Sequence, residues 1–150
     1  MSLRDKISHA KHELHWVKDI DATETPGTGV DLKGYGSATI LCSIGELTGI
    51  SSPPTESWTF KLQESDTVDD AFSNVDESDM LLEYGNNDGS VTNGVFATID
   101  AAGEAEANYS VGYIGSEQYI RVVATAAGSP GFTPIAVSVI KEAYQKPASE

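Results

Sequence analysis

The sequence predicts an all-β protein: an antiparallel two-sheet sandwich, jelly-roll-like, preceded by a short N-terminal helix or arm. Three observations lead there. Apolar residues alternate with polar ones in several short runs, the period of half-buried strands. Clusters of turn-forming residues separate the runs, in a chain with 14 glycines and 6 prolines. Two segments towards the ends, Gly29–Ala38 (GVDLKGYGSA) and Val111–Val123 (VGYIGSEQYIRVV), each read as a strand reached through a glycine turn.

Residues 3–18 differ from the rest. Leu3, Ile7, Ala10, Leu14 and Val17 recur at spacings of three and four, a one-sided apolar stripe at helical period. Arg4, Lys6, Lys11 and Lys18 lie between them, so a short basic helix is expected ahead of an acidic body. After the turn-rich linker 21–29 the period becomes two. Ile40 and Cys42 fall on one face of a strand, and Trp58, Phe60 and Leu62 on one face of the next. Val111 and Tyr113 follow, then Ile120 and Val122, then Ile135, Val137 and Val139. Weaker strands are expected at Met80–Tyr84 and Val95–Ile99. Ser51–Pro54, Gly85–Gly89, Ala102–Gly103 and Gly128–Gly131 supply the breaks. The expected organisation is an arm over 1–20, a sandwich over 21–144 and a polar tail over 145–150. The expected sheet core comprises Ile40, Trp58, Phe60, Leu62, Val111, Tyr113, Ile120, Val122 and Val137.

The 150 residues carry 23 acidic and 9 basic side chains, a formal charge of −14. Phosphate binding needs clustered lysine and arginine, so no nucleic-acid partner is expected, and anionic membrane surfaces are equally disfavoured. A single cysteine, Cys42, sits inside an apolar strand pattern and reads as a small core residue. No apolar run has the length of a signal peptide core or a membrane span, so synthesis in the cytoplasm is expected.

Chemistry-bearing residues do not assemble into a catalytic pattern. His9, His12 and His15 recur every third residue on the expected helix. A neighbouring pair there lacks the third ligand that a catalytic zinc requires, and Glu13 is not spaced as in the HExxH pattern. The acidic run Glu64, Asp66, Asp69, Asp70, Asp76, Glu77 and Asp79 lacks the alternation of a calcium loop and reads as solvated loop acids. There is no GxSxG elbow, and Gly34-Tyr35-Gly36 lacks the third glycine and the helix of a dinucleotide loop. Tyr35, Trp58, Tyr84 and Tyr119 are candidates for a sugar platform, although core or sheet-face placement explains them more simply. No catalytic residue, cofactor or metal is expected.

The stretches Gly29–Ala38, Phe60–Asp66 (FKLQESD), Val111–Val123 and Thr133–Val137 (TPIAV) resemble a group of small virion proteins encoded among the head genes of tailed bacteriophages and phage-like gene-transfer particles. The shared pattern is a VDLxGYxSA segment, an LQESD strand end and a VGYIGxxxYIRV hairpin. The acidic pair that usually follows ES is replaced here by Asp66-Thr67. The resemblance implies a non-enzymatic decoration protein, or the base of a head spike, on the outer capsid surface. Its partners would be the major capsid protein and further copies of itself, as a trimer or pentamer. The N-terminal segment lies outside the resemblance. Its residues Leu3, Arg4, Lys6, Ile7, Lys11, Leu14 and Lys18 are the candidate capsid-docking set, since they join positive charge to apolar area in an acidic chain. A carbohydrate-binding sandwich that reads cell-surface glycans is the alternative, and a small hydrolase a more distant one.

Overall fold

Period-two hydrophobicity needs two sheets if each apolar face is to be covered, and the chain builds them. The computed structural model describes residues 10–50, 55–69, 71–82 and 92–143. In chain order the strands are β1 (Ala10–Ile20), β2 (Val30–Asp31), β3 (Tyr35–Ile44), β4 (Ser57–Ser65), β5 (Ser73–Asn74), β6 (Met80–Leu82), β7 (Val95–Ile99), β8 (Ala107–Tyr113), β9 (Tyr119–Ala127) and β10 (Thr133–Ala143). One sheet has the order β1-β10-β3-β8-β6. The other runs β2-β9-β4, with β5 and β7 on the far side of β4. The strand pairs are antiparallel throughout.

The inner faces interdigitate. Ile40, Trp58, Phe60, Leu62 and Val137 are wholly buried or nearly so, as are Val111, Tyr113, Ile120 and Val122. Trp58 brings a donor into this apolar layer and satisfies it: its Nε1 donates to Thr133 Oγ1 across the sandwich at 3.0 Å. Cys42 is fully buried in β3, and that burial pushes its thiol pKa up, away from reactivity.

Residues 10–20 correct the helix expected over 3–18: they are a strand, paired along their length with β10. Residues 1–9, with Leu3, Arg4, Lys6 and Ile7, lie outside the described residues. The register shifts between Leu14 and Trp16, so His15 is the extra residue of a β-bulge. Ala10, His12 and Leu14 alternate onto the outer face. The bulge then resets the phase, and Val17 joins them at a spacing of three. A bulged strand thus produces the three-and-four spacing that otherwise signals a helix. Lys11, Glu13 and Lys18 share the inner-side phase with Trp16 and Ile20.

The β1 edge of the β1-β10-β3-β8-β6 sheet is guarded: it carries the bulge, Lys11 and Lys18 along its length, devices that discourage indiscriminate strand addition. Ahead of β7, Asn93 and Gly94 both take positive φ, 54° and 80°, and Val95 N donates to Thr92 O. That is the geometry of a primed hairpin turn, and Asn-Gly is the dipeptide that tolerates it best.

Candidate functional site

Three features stand out once the strands are placed: a cross-sheet clip at the β1 bulge, a cleft at one end of the sandwich, and the outer face of the β1-β10-β3-β8-β6 sheet.

The clip follows from the bulge. Two consecutive side chains, His15 and Trp16, both reach β9 in the opposite sheet. Val122 N donates to His15 Nε2 at 3.3 Å, and Trp16 Nε1 donates to Val122 O at 3.2 Å. This edge of β9 has backbone partners at Ile120, from β2, and at Ala124, from Glu24. Between them, the two side chains take the place of a ladder. His15 must be neutral to accept. Burial lowers its pKa to about 4, with the Arg121 charge acting in the same direction and Glu13 opposing. Folding therefore favours the neutral imidazole, whose contribution is intact above the unfolded pKa near 6.5. It is lost as pH falls toward 4, by about 3 kcal/mol for a shift of that size. Thermal melting of the wild type against His15→Gln, which accepts the same bond without titrating, should diverge between pH 6.5 and 4. Parallel curves would contradict the clip.

Lys141 holds the neighbouring corner. It is 3% exposed, and its Nζ donates to Glu13 Oε2 and, at 2.9 Å, to Asp31 O. It also stands 5.1 Å from the Tyr35 ring centroid. A buried ammonium is tolerable only with such partners. Here they tie β10 and β1 to the β2 turn. Lys18 pairs with Glu24 at 2.6 Å, and Lys11 approaches Glu13 at 4.0 Å. Of the candidate docking residues within the described chain, Leu14 thus lies on the outer face while Lys11 and Lys18 turn to the other side. The combined basic and apolar stripe is not present over 10–18.

The cleft is formed by the two glycine-turn segments that dominate the sequence. Residues 32–37 face residues 113–118 across about 490 Å³. Gly34 turns the first wall with φ +87°, and Tyr35 N donates to Leu32 O. In the second wall, Tyr113 is buried and its hydroxyl donates to Glu64 Oε2 at 2.6 Å while accepting from Glu117 N. Gln118 ties the walls together by donating to Asp31 Oδ1 at 3.1 Å. Desolvation pushes the Glu117 carboxyl up from its usual range, helped by a hydrogen bond with Asp66 and by the Asp66 and Glu64 charges. The surrounding chemistry is that of a braced loop: carboxylates, a buried tyrosine and glycine backbone.

Other candidates are dispersed. His12 is exposed on β1 and His15 faces inward; His9 lies outside the described residues. Among the described residues no group of three His, Cys, Asp or Glu side chains is placed to hold a metal ion. Of the acidic run, Glu64 serves Tyr113, and Asp76 caps the short 3-10 turn Glu77–Asp79, accepting from Ser78 N at 2.9 Å. Asp70 lies outside the description. Of the aromatics, Trp58 is core. Tyr119 accepts from Gln118 at 2.9 Å, Tyr35 lines the cleft, and Tyr84 lies outside the description. Among the described residues no helix is long and apolar enough to cross a membrane.

The third feature is one that sequence reading missed. The outer face of the β1-β10-β3-β8-β6 sheet can be followed in rows of register. Leu14 lies beside Ser138, then Leu41, then Ser110. The adjacent row holds His12, Ile140, Thr39, Gly112 and Leu81. The row on the other side holds Val17, Ala136, Ser43 and Asn108. None of these positions is a carboxylate, a lysine or an arginine. On this face the described strands place charge only at Asp19 and Glu142, towards opposite ends.

Comparison of the chain with protein-family models, with curated proteins and with solved structures finds no match.

Proposed function

We propose that this chain is a non-enzymatic structural protein of a virion, seated as a homo-oligomer on the outer surface of a bacteriophage-type capsid, either as head decoration or as the base of a head spike. The observation that carries the reading is spatial. The stretches that resemble small head proteins are far apart in sequence, yet they adjoin in the fold. Residues 32–37 of the Gly29–Ala38 stretch and residues 113–118 of the Val111–Val123 stretch form the two walls of the cleft. Phe60–Asp66 pairs with the second of them and supplies Glu64 to Tyr113. Thr133–Val137 runs beside β3. The resemblance thus covers one contiguous structural unit whose bonds brace a shape. The partner would be the major capsid protein, and the site of action the head surface, after synthesis in the host cytoplasm. Many copies of a modest contact suffice for firm attachment to a lattice.

Because residues 10–20 are sheet, the docking role of the N-terminus narrows to the segment before Ala10, with Leu3, Arg4, Lys6 and Ile7. Deleting residues 1–9 should leave a folded body with an unchanged β-sheet signal that no longer co-sediments with capsids. Full occupancy of capsids by the truncated protein would move the contact onto the sandwich. Failure of the full chain to bind capsids of the particle that encodes it would sink the reading altogether. Deleting residues 1–18 is a poor substitute, since it also removes most of β1 and the His15–Trp16 clip.

A second reading, glycan binding, is favoured by one observation: Tyr35 lines the cleft together with Lys33, Ser37 and Gln118, an aromatic face beside polar groups. It predicts binding on a glycan array that Tyr35→Ala abolishes.

A further inference from the structure

We infer that the outer face of the β1-β10-β3-β8-β6 sheet is the surface through which copies of this chain meet one another. The argument begins with charge. Two molecules that each carry −14 repel wherever their acidic surfaces approach. Close contact is favoured only across area that carries no charge, and the three rows of this face offer such area.

Its chemistry suits contact as well. Leu14, Val17 and Leu81 are 61%, 64% and 55% exposed, half of the large apolar side chains that stand out from the described surface. Leu41, Ala136 and Ile140 fill the space between them, half-buried in the sheet. Thr39 and Ser138 add short hydroxyls that hydrogen-bond in either direction at little entropic cost, while Ser43 donates to Asn108 Oδ1 at 2.7 Å within the face. This mixture of roughly equal apolar and uncharged polar positions is that of an ordinary specific interface.

The size fits too. The thirteen outward positions of the three rows, each about 4.8 Å by 6.6 Å, cover roughly 400 Å² per copy, so a pair buries on the order of 800 Å², the size of a weak, reversible contact. Sheets can stack in this way about 10 Å apart. The partner is a second copy of this chain because such a face complements itself: it presents no charge that requires an opposite one. A two-fold, face-to-face pair is the simplest arrangement. This inference rests on the homo-oligomer of the proposed function and supplies its contact surface; it is tested on the purified protein alone, so its failure leaves attachment to the capsid standing.

Sedimentation equilibrium of the full chain should show self-association, strengthened by added salt as repulsion between the copies is screened. Ser138→Glu puts a carboxylate at the centre of the face, and should weaken association at least about tenfold through like-charge juxtaposition. Leu14→Glu, at an exposed position that cannot disturb the core, should act in the same direction. Thr98→Glu, exposed on the opposite sheet, should leave association unchanged. A dimer that is lost on Ser138→Glu and Leu14→Glu supports the inference, whereas a trimer or pentamer, which one self-complementary face cannot close, overturns it. A chain that stays monomeric at 100 μM and high salt overturns it, as does an oligomer that both variants leave intact.

Discussion

Phe60→Ala should cost about 3–5 kcal/mol, at the upper end for a core truncation, and lower the melting temperature by ~10 °C or more in a domain of this size. The reason is the position rather than the residue type. Phe60 has no exposed surface and sits in β4, the strand paired on both sides. Its register neighbours are Ala124 on β9 and Ala97 on β7, and its ring lies 6.5 Å from that of Phe96. Two alanines cannot swing in to fill the space that a lost ring leaves. Much of the cavity therefore persists, and the loss combines transfer and cavity terms. For a protein with ordinary stability of ~5–15 kcal/mol, the variant should be marginal at 37 °C. Urea unfolding checks this. A loss under ~1 kcal/mol would place the ring outside the core and invert the phase of β4.

Gly115→Val should impair folding severely, while Gly103→Val should be nearly silent. A Cβ on Gly115 would lie 2.5 Å from the Tyr113 hydroxyl oxygen and 2.6 Å from its ring carbon. The ring cannot retreat, because it is 1% exposed and its hydroxyl is held by Glu64 and Glu117 N. Relief requires moving the 114–118 wall of the cleft, which breaks those bonds. Overpacking of ~1–3 kcal/mol and the loss of a hydrogen bond to a charged group, ~1.5–3 kcal/mol, add together. Gly103 has open space around its would-be side chain, and substitutions in such places stay within about ±0.5 kcal/mol. Soluble yield and melting temperature of the two variants check the contrast; equal values would mean that the loop does not pack on Tyr113.

These two residues also mark what the sequence made legible. In β3 and β4 the alternation is unbroken. Ile40, Cys42 and Ile44 face inward, as do Trp58, Phe60 and Leu62, and a period of two has a single reading when the run is long enough. In β1 it did not. The bulge at His15 shifts the phase by one residue, so Leu14 and Val17 share a face at helical spacing, and local pattern favoured a helix that the tertiary pairing with β10 overrides. The clip itself was out of reach, since His15 and Val122 are 107 positions apart and a bulge alone aims both side chains at β9. Asn93-Gly94 was a visible hairpin signal at a position that strand patterning passed over. The uncharged face was half visible. Ser37, Thr39, Leu41 and Ser43 are all uncharged at alternate positions of β3, but only the register shows that β10, β8 and β6 continue the same surface. Gly115 was legible as a turn glycine, and its contact with Tyr113 was not.

The central claim, that this chain works by contact on the outside of a capsid, is tested most directly by cryo-electron microscopy of the particles that carry it. The account predicts density for the sandwich at symmetry-related positions on the outer head surface. Density confined to the tail or to the interior of the shell would contradict it.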